Sequence, residues 1–293
     1  MVSPVEVRDA ATVMLVRDGA DGLEVFMVQR NLSSAFVAGA YVFPGGAVDD
    51  ADRHLDLGAV TAGRSDEAAS RRLDVGFGGL AYWVAAIRES FEEAGVLLAC
   101  DRDGKIVSFA DPEVAERFRV HREAVDRGDL RLVDMCLREG LVLAVDQIHY
   151  FAHWITPEGP PRRYDTRFFV AAAPPEQVPL HDDRETIAHI WVRPAEALDR
   201  HRRGEIDMIA PTIRNLQAIG RFDRSADLLA HAQSIGEVPA IQPRLIEDGG
   251  GTRIVLPGDD GYDTAGEGLR EGQPLPGQPG GPTVATDEEE NPG

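Results

Sequence analysis

Arg88-Glu89-Ser90-Phe91-Glu92-Glu93-Ala94-Gly95-Val96 is the stretch that decides how this 293-residue chain is read. As a helix turning about 100° per residue, it gathers Glu89, Glu92 and Glu93 into an arc of roughly 100°. Val84, Ile87, Phe91 and Ala94 fall on the opposite face. Gly95 is the residue type that most often ends a helix. The helix therefore has an apolar stripe to bury and three like charges to account for. Clustered carboxylates repel one another, by roughly a few tenths of a kcal/mol per isolated pair. A hard divalent cation takes oxygen ligands and would cancel that repulsion. A solvated acidic face is the other reading of E-x-x-E-E taken alone.

Upstream stands Phe43-Pro44-Gly45-Gly46, whose glycines permit a close backbone approach. Together the two stretches resemble the Nudix hydrolase box, G-x5-E-x7-R-E-U-x-E-E-x-G-U, where U is apolar. The box is interrupted here. Gly46 lies 42 residues before Arg88 instead of 14, so about 28 extra residues intervene. The positions that would hold the box Gly and its first Glu are Asp74 and Leu80, and Ser90 fills an apolar slot. Glu67 and Asp74 both stand as replacements for the displaced Glu. Val28-Gln29-Arg30, Gly39, the Gly46 turn, a long acidic insert and Ala86 to Leu98 together resemble the peroxisomal coenzyme A diphosphatase branch. Trp154 to Pro157 and Arg163 to Phe169 continue that resemblance. Ala35 stands where the branch has a second Arg.

The resemblance implies an α+β protein, a Nudix α/β/α sandwich around a mixed sheet. It also implies a Nudix diphosphatase, with Glu89, Glu92, Glu93 and the Gly46 backbone carbonyl holding Mg²⁺ or Mn²⁺. Glu89 is the candidate general base, and Arg88 orients a carboxylate. Glu185, six residues before Trp191, is a candidate further ligand. Arg30, Gly39, Arg163 and Arg167 are candidate substrate contacts. Arg163, Asp165, Arg167 and Phe169 share one strand face at period two, so an ordinary Arg–Asp pairing competes with a substrate role. Coenzyme A or an acyl-coenzyme A is the first substrate reading. ADP-ribose, NADH or a nucleotide sugar is the alternative, and a non-catalytic ligand-binding regulator is the third.

Composition narrows the partners. A net charge of −20 disfavours nucleic acid and anionic membrane, without excluding an anionic small molecule held by a metal and local arginines. Lys105 is the only lysine. Cys100 and Cys136 cannot form a disulfide framework, which suits a reducing cytoplasm. Neither a basic-then-apolar leader nor an 18-residue apolar run is present, so no membrane partner is expected. The final residues, Asn291-Pro292-Gly293, do not match a peroxisomal address.

The remaining pattern divides the chain into a Nudix domain over 1–245 and an acidic Gly/Pro-rich tail over 246–293. Strands are expected at Ala10–Val16 and Leu23–Arg30 around an Asp/Gly turn, at 149–156, 164–171 and 187–192. The insert spans about 50–80, with a helix starting at Ser65. A helical insertion at about 110–140 opens with Asp111-Pro112, and either covers the cleft or forms a homodimer interface. His149, His153 and His181 lack zinc-site spacing and read as ordinary polar residues. Residues 247–293 carry eleven acids against Arg253 and Arg270, nearly half the net charge, and read as disordered. Part of it, such as Arg253–Leu256, could pack as a short strand, and function should not depend on Glu288–Glu290.

Overall fold

The computed structural model describes residues 5–31, 39–53, 57–158, 160–179, 186–248 and 251–265. The chain opens with β1 (Val7–Gly19), β2 (Gly22–Arg30), β3 (Tyr41–Val42) and β4 (Gly45–Ala47). The insert follows as a 3-10 turn at Asp50–Arg53, α1 (Leu57–Val60) and α2 (Asp66–Leu73), then comes α3 (Leu80–Ala94). Next are β5 (Ala99–Cys100), α4 (Pro112–Asp126), α5 (Leu132–Glu139), β6 (Val142–Leu143), β7 (His149–Ile155), β8 (Arg163–Ala172) and β9 (Thr186–Val192). The described part closes with α6 (Pro194–Arg202), α7 (Ala210–Ile219), α8 (Ser225–Ser234), β10 (Ala240–Ile241), β11 (Arg244–Asp248) and β12 (Gly251–Val255).

The main sheet is mixed, in the order β10-β7-β8-β1-β2-β3, with β4 on β1 and β9 on β2. β1 and β8 run parallel over ten paired positions, from Val7↔Arg163 to Val16↔Ala172. On its other side β1 changes partner. Ala10 to Thr12 face β4, and Val16 to Gly19 face β2. β1 is buried on both faces, which is why Ala10–Val16 reads as one apolar run. Ala11, Val13 and Leu15 pack with α3, α4 and α5, while Met14 and Val16 pack with α6, α7 and α8. These are the layers of the expected sandwich.

Several expected boundaries sharpen. Ser65 caps α2 by accepting the Ala68 amide, and Asp111 caps α4 by accepting the Glu113 amide. Pro157–Pro161 bridges β7 and β8, as its Pro content suggested. The stretch from 246 is not uniform. A β11–β12 hairpin forms there, with Ile254 and Val255 buried, because those two apolar side chains have a core to enter. Residues 266–293, including Glu288–Glu290, lie outside the described residues. No helix among the described residues is long and apolar enough to cross a membrane.

Candidate active site

Almost every residue of α3 is buried, so the helix is more than an amphipathic surface element. Its apolar side chains Trp83, Val84, Ile87 and Phe91 enter the first core cluster. Its charged side is covered by β4 and the 3-10 turn. Such burial of charge requires pairing, and Arg88 supplies it. The Arg88 guanidinium donates through Nε and Nη2 to the two oxygens of Asp52, both at 2.9 Å. It also donates to Glu89 at 2.7 Å, Glu92 at 2.9 Å and the Ala47 carbonyl at 2.8 Å. Asp52 is only 1% exposed and also accepts the Asp49 amide at 2.9 Å.

The buried carboxylate that pairs with Arg88 across the insert is therefore Asp52, and neither Glu67 nor Asp74 does so. Glu67 instead pairs with Arg71 on the exposed face of α2. Asp74 ends α2 in the left-handed region, at φ 55°. Sequence spacing missed Asp52 because the insert removes the fixed register that identifies the box Glu. Its one sequence signal is the Asp49-Asp50-Ala51-Asp52 cluster just after the Gly turn.

The Gly pair explains how the carboxylates meet the cleft. The Gly45 amide donates to Glu93 Oε2 at 2.9 Å. A Cβ on Gly46 would stand 2.5 Å from Glu89 Oε1, so only glycine lets that carboxylate pack there. A Cβ on Gly45 would meet Thr12 Oγ1 at 2.3 Å. Ser90, in its unexpected apolar slot, is buried and donates to the Val96 carbonyl at 2.9 Å, fixing the helix exit. Arg122 of α4 donates to the Glu92 and Glu93 carbonyls at 2.8 and 3.1 Å, securing the carboxyl end of α3.

Electrostatics reflects this crowding. Burial pushes the Glu92 carboxyl up to about 8, against the pull of Arg88 and with a further push from Glu89. Burial also raises Asp52, again opposed by Arg88. Glu89, Glu92, Glu93 and the Gly45–Gly46 backbone offer hard oxygen donors along one wall, the donor chemistry that a divalent cation takes. Among the described residues no three His, Cys, Asp or Glu side chains already stand in a coordinating cluster. The two glycines, at which a Cβ would meet a protein atom, form the cradle that keeps this wall free of side chains.

A cleft of about 620 Å³ joins these groups to the opposite layer. Arg88, Glu89, Glu92, Glu93 and Gly46 line one side; Phe43, Trp154, Tyr164, Phe168 and the start of α7 line the other. The end of α4, Val125 to Gly128, also lines it, so the helical insertion forms part of the cleft wall. Arg30 lines the cleft. Gly39 does not; it turns at φ 77° and its carbonyl accepts Gln29 Nε2. Arg163 and Arg167 point to the α3 side of the sheet. Arg163 donates to the Thr156 carbonyl, and Arg167 pairs with Asp165 and lies over the Tyr82 ring. The strand positions that line the cleft are Tyr164, Thr166 and Phe168, with Arg162 at the same parity before them. Period two grouped the arginines correctly but does not say which face looks into the cleft. Glu185 and His181 lie outside the described residues, as does Ala35. His153 bonds Asp165 at 2.5 Å, an ordinary polar contact.

The NUDT19 Nudix domain model matches residues 65–219, more than half of the chain. The chain belongs to this Nudix hydrolase family. It is 29% identical to the acyl-coenzyme A diphosphatase NUDT19 of Gallus gallus, over 87% of this chain and 79% of that protein. It is 26% identical to the Homo sapiens protein of the same name, over 83% and 73% respectively. Among solved structures, a Nudix hydrolase from Alicyclobacillus acidocaldarius superposes with a TM-score of 0.64 at 26% identity. That match covers 80% of this chain and 99% of the other, so the Nudix fold accounts for most of the described molecule.

Proposed function

We propose that this Nudix hydrolase cleaves the diphosphate linkage of coenzyme A or an acyl-coenzyme A. The observation that carries the reading is the single cleft in which the α3 carboxylates face an aromatic wall. A diphosphate at the carboxylates leaves its two flanking groups within reach of that wall. The similarity to proteins named acyl-coenzyme A diphosphatase over most of the chain supports the choice of substrate.

Glu89, Glu92 and Glu93, with the Gly46 carbonyl, would hold Mg²⁺ or Mn²⁺ against the diphosphate. When bound, the cation neutralises the diphosphate oxygens and lowers the pKa of a water molecule. Arg88 orients Glu89 and Glu92, and does so from beneath, since its donors are all directed to protein acceptors. Glu89, beside Gly46, would take the proton from the attacking water. Arg30 and Arg162, on the cleft lining, would neutralise the remaining phosphate charge. The free cysteines Cys100 and Cys136 support a reducing compartment such as the cytoplasm.

The test is product analysis with Mg²⁺ or Mn²⁺ over a panel of coenzyme A, acetyl-coenzyme A, ADP-ribose and NADH. Coenzyme A cleaved well ahead of the others supports the reading. Preference for ADP-ribose or NADH keeps the chemistry and rejects the substrate.

A further inference from the structure

The aromatic wall of the cleft carries a buried donor, the Trp154 indole, that no described residue satisfies. Trp154 is 4% exposed and lines the cleft, and its indole Nε1–H is buried with no hydrogen-bond partner among the described residues. Thr212, 2% exposed, stands on the same lining in the first turn of α7 and brings a hydroxyl to it. One turn further along α7, buried Asn215 leaves Nδ2 without a partner among the described residues. Buried polar groups are nearly always paired, and a bond left unmade costs the free protein stability. These vacancies therefore need a reason.

Their surroundings indicate the chemistry that would fill them. β10 pairs with β7 at His153 and Trp154, closing the outer side of the strand, and Pro243 just beyond it extends the wall. Phe43, Phe168, Ala210 and Pro211 add apolar surface beside it. The start of α7 has no side-chain cap, and of its first turn only Ala210 and Thr212 bring backbone amides, since Pro211 has none and the Ile213 amide donates to the Ile209 carbonyl. The Trp154 indole and the Thr212 hydroxyl are neutral donors, in contrast to Arg30 and Arg162 elsewhere on the lining. An anion seated against this wall would exchange its water for hydrocarbon, whereas a neutral acceptor on a flat or apolar body would gain both contacts.

We propose that Trp154 and Thr212 form a specificity subsite that hydrogen-bonds a neutral acceptor, a ring nitrogen or an amide carbonyl, in a group flanking the diphosphate. The proposal rests on the function proposed above. In coenzyme A the acceptor belongs either to the adenine or to the pantetheine amides, and each is recovered intact in one product half.

The test uses Trp154→Phe, which keeps a ring and removes the donor, and Thr212→Val, which keeps the shape and removes the hydroxyl. Binding of adenosine 3′,5′-bisphosphate and of 4′-phosphopantetheine is measured by calorimetry. Thermal unfolding of the free proteins and turnover of coenzyme A are measured alongside. Both variants should still melt cooperatively and lose about tenfold affinity for the same half, which names the source of the acceptor. A change of twofold or less for both halves overturns the subsite. So does a wild type that binds neither half. Hydrolysis of coenzyme A with unchanged binding in the variants rejects the subsite alone. Trp154-dependent binding without hydrolysis rejects the proposed reaction alone.

Discussion

Asp52 is the residue on which the arrangement of carboxylates depends. Removing it leaves the Arg88 charge buried against fewer partners, so Asp52→Ala should lose about 3–5 kcal/mol of stability in urea unfolding. A loss under about 1 kcal/mol would show that the pair does not hold the turn to the helix. Gly46→Ala makes a different prediction, since its new Cβ would displace Glu89 without opening a cavity. It should lower kcat about a hundredfold with little change in melting temperature. Glu92 gives a pH signature in the metal-free protein. Its folded pKa of about 8 lies above the ordinary 4.5, so the folded chain holds the proton more tightly. Its contribution to stability is full below the ordinary value and is lost as pH rises through about 8. With chelator present, the melting temperature should fall over that window, and Glu92→Gln should flatten the fall. The three carboxylates and Arg88 were legible because one helical face holds them all. Asp52 was not, because it reaches Arg88 from 36 positions away, across a chain whose register the insert breaks.

At the level of elements, α3 is held at both ends by segments foreign to a short Nudix box. Asp66 of α2 accepts the Gly78 and Leu80 amides at 3.0 and 2.9 Å, and Ser70 accepts the Gly79 amide at 2.9 Å. The insert thus caps the amino end that Gly79, having no side chain, leaves open. Asp66→Ala should cost about 1–2 kcal/mol in denaturant unfolding, while Glu67→Ala, one position on but exposed, should change stability by less than about 0.5 kcal/mol. Equal effects of the two would remove the capping role. Helices and their caps were legible because Ser65, Asp111 and Gly95 act within a few residues. The switch of β1 from β4 to β2, and the pairing of β10 beside Trp154, depend on long-range register and leave no local mark. The same holds for Arg163 and Arg167, whose shared face was clear but whose side of the sheet was not.

On the scale of the molecule, one cleft draws on the first strand, the Gly turn, α3, the helical insertion, β7, β8 and α7. No single stretch announces such a site. The sequence revealed the carboxylate side because it is compact in one helix, and left the aromatic side unseen because Phe43, Trp154 and Phe168 come together only in the sheet. The acidic tail takes no part in that lining among the described residues, so a chain ending at Ala265 should keep kcat/KM within about twofold in the same assay. The central claim is that the α3 carboxylates drive metal-dependent cleavage of a diphosphate in this cleft. It is tested most directly by coenzyme A turnover with Mg²⁺, comparing the wild type with Glu92→Gln and identifying the products. The assignment predicts adenosine 3′,5′-bisphosphate and 4′-phosphopantetheine from the wild type, with kcat reduced about a hundredfold or more in a variant that still melts cooperatively. Equal turnover by a folded Glu92→Gln protein, or no metal-dependent cleavage by the wild type, would contradict it.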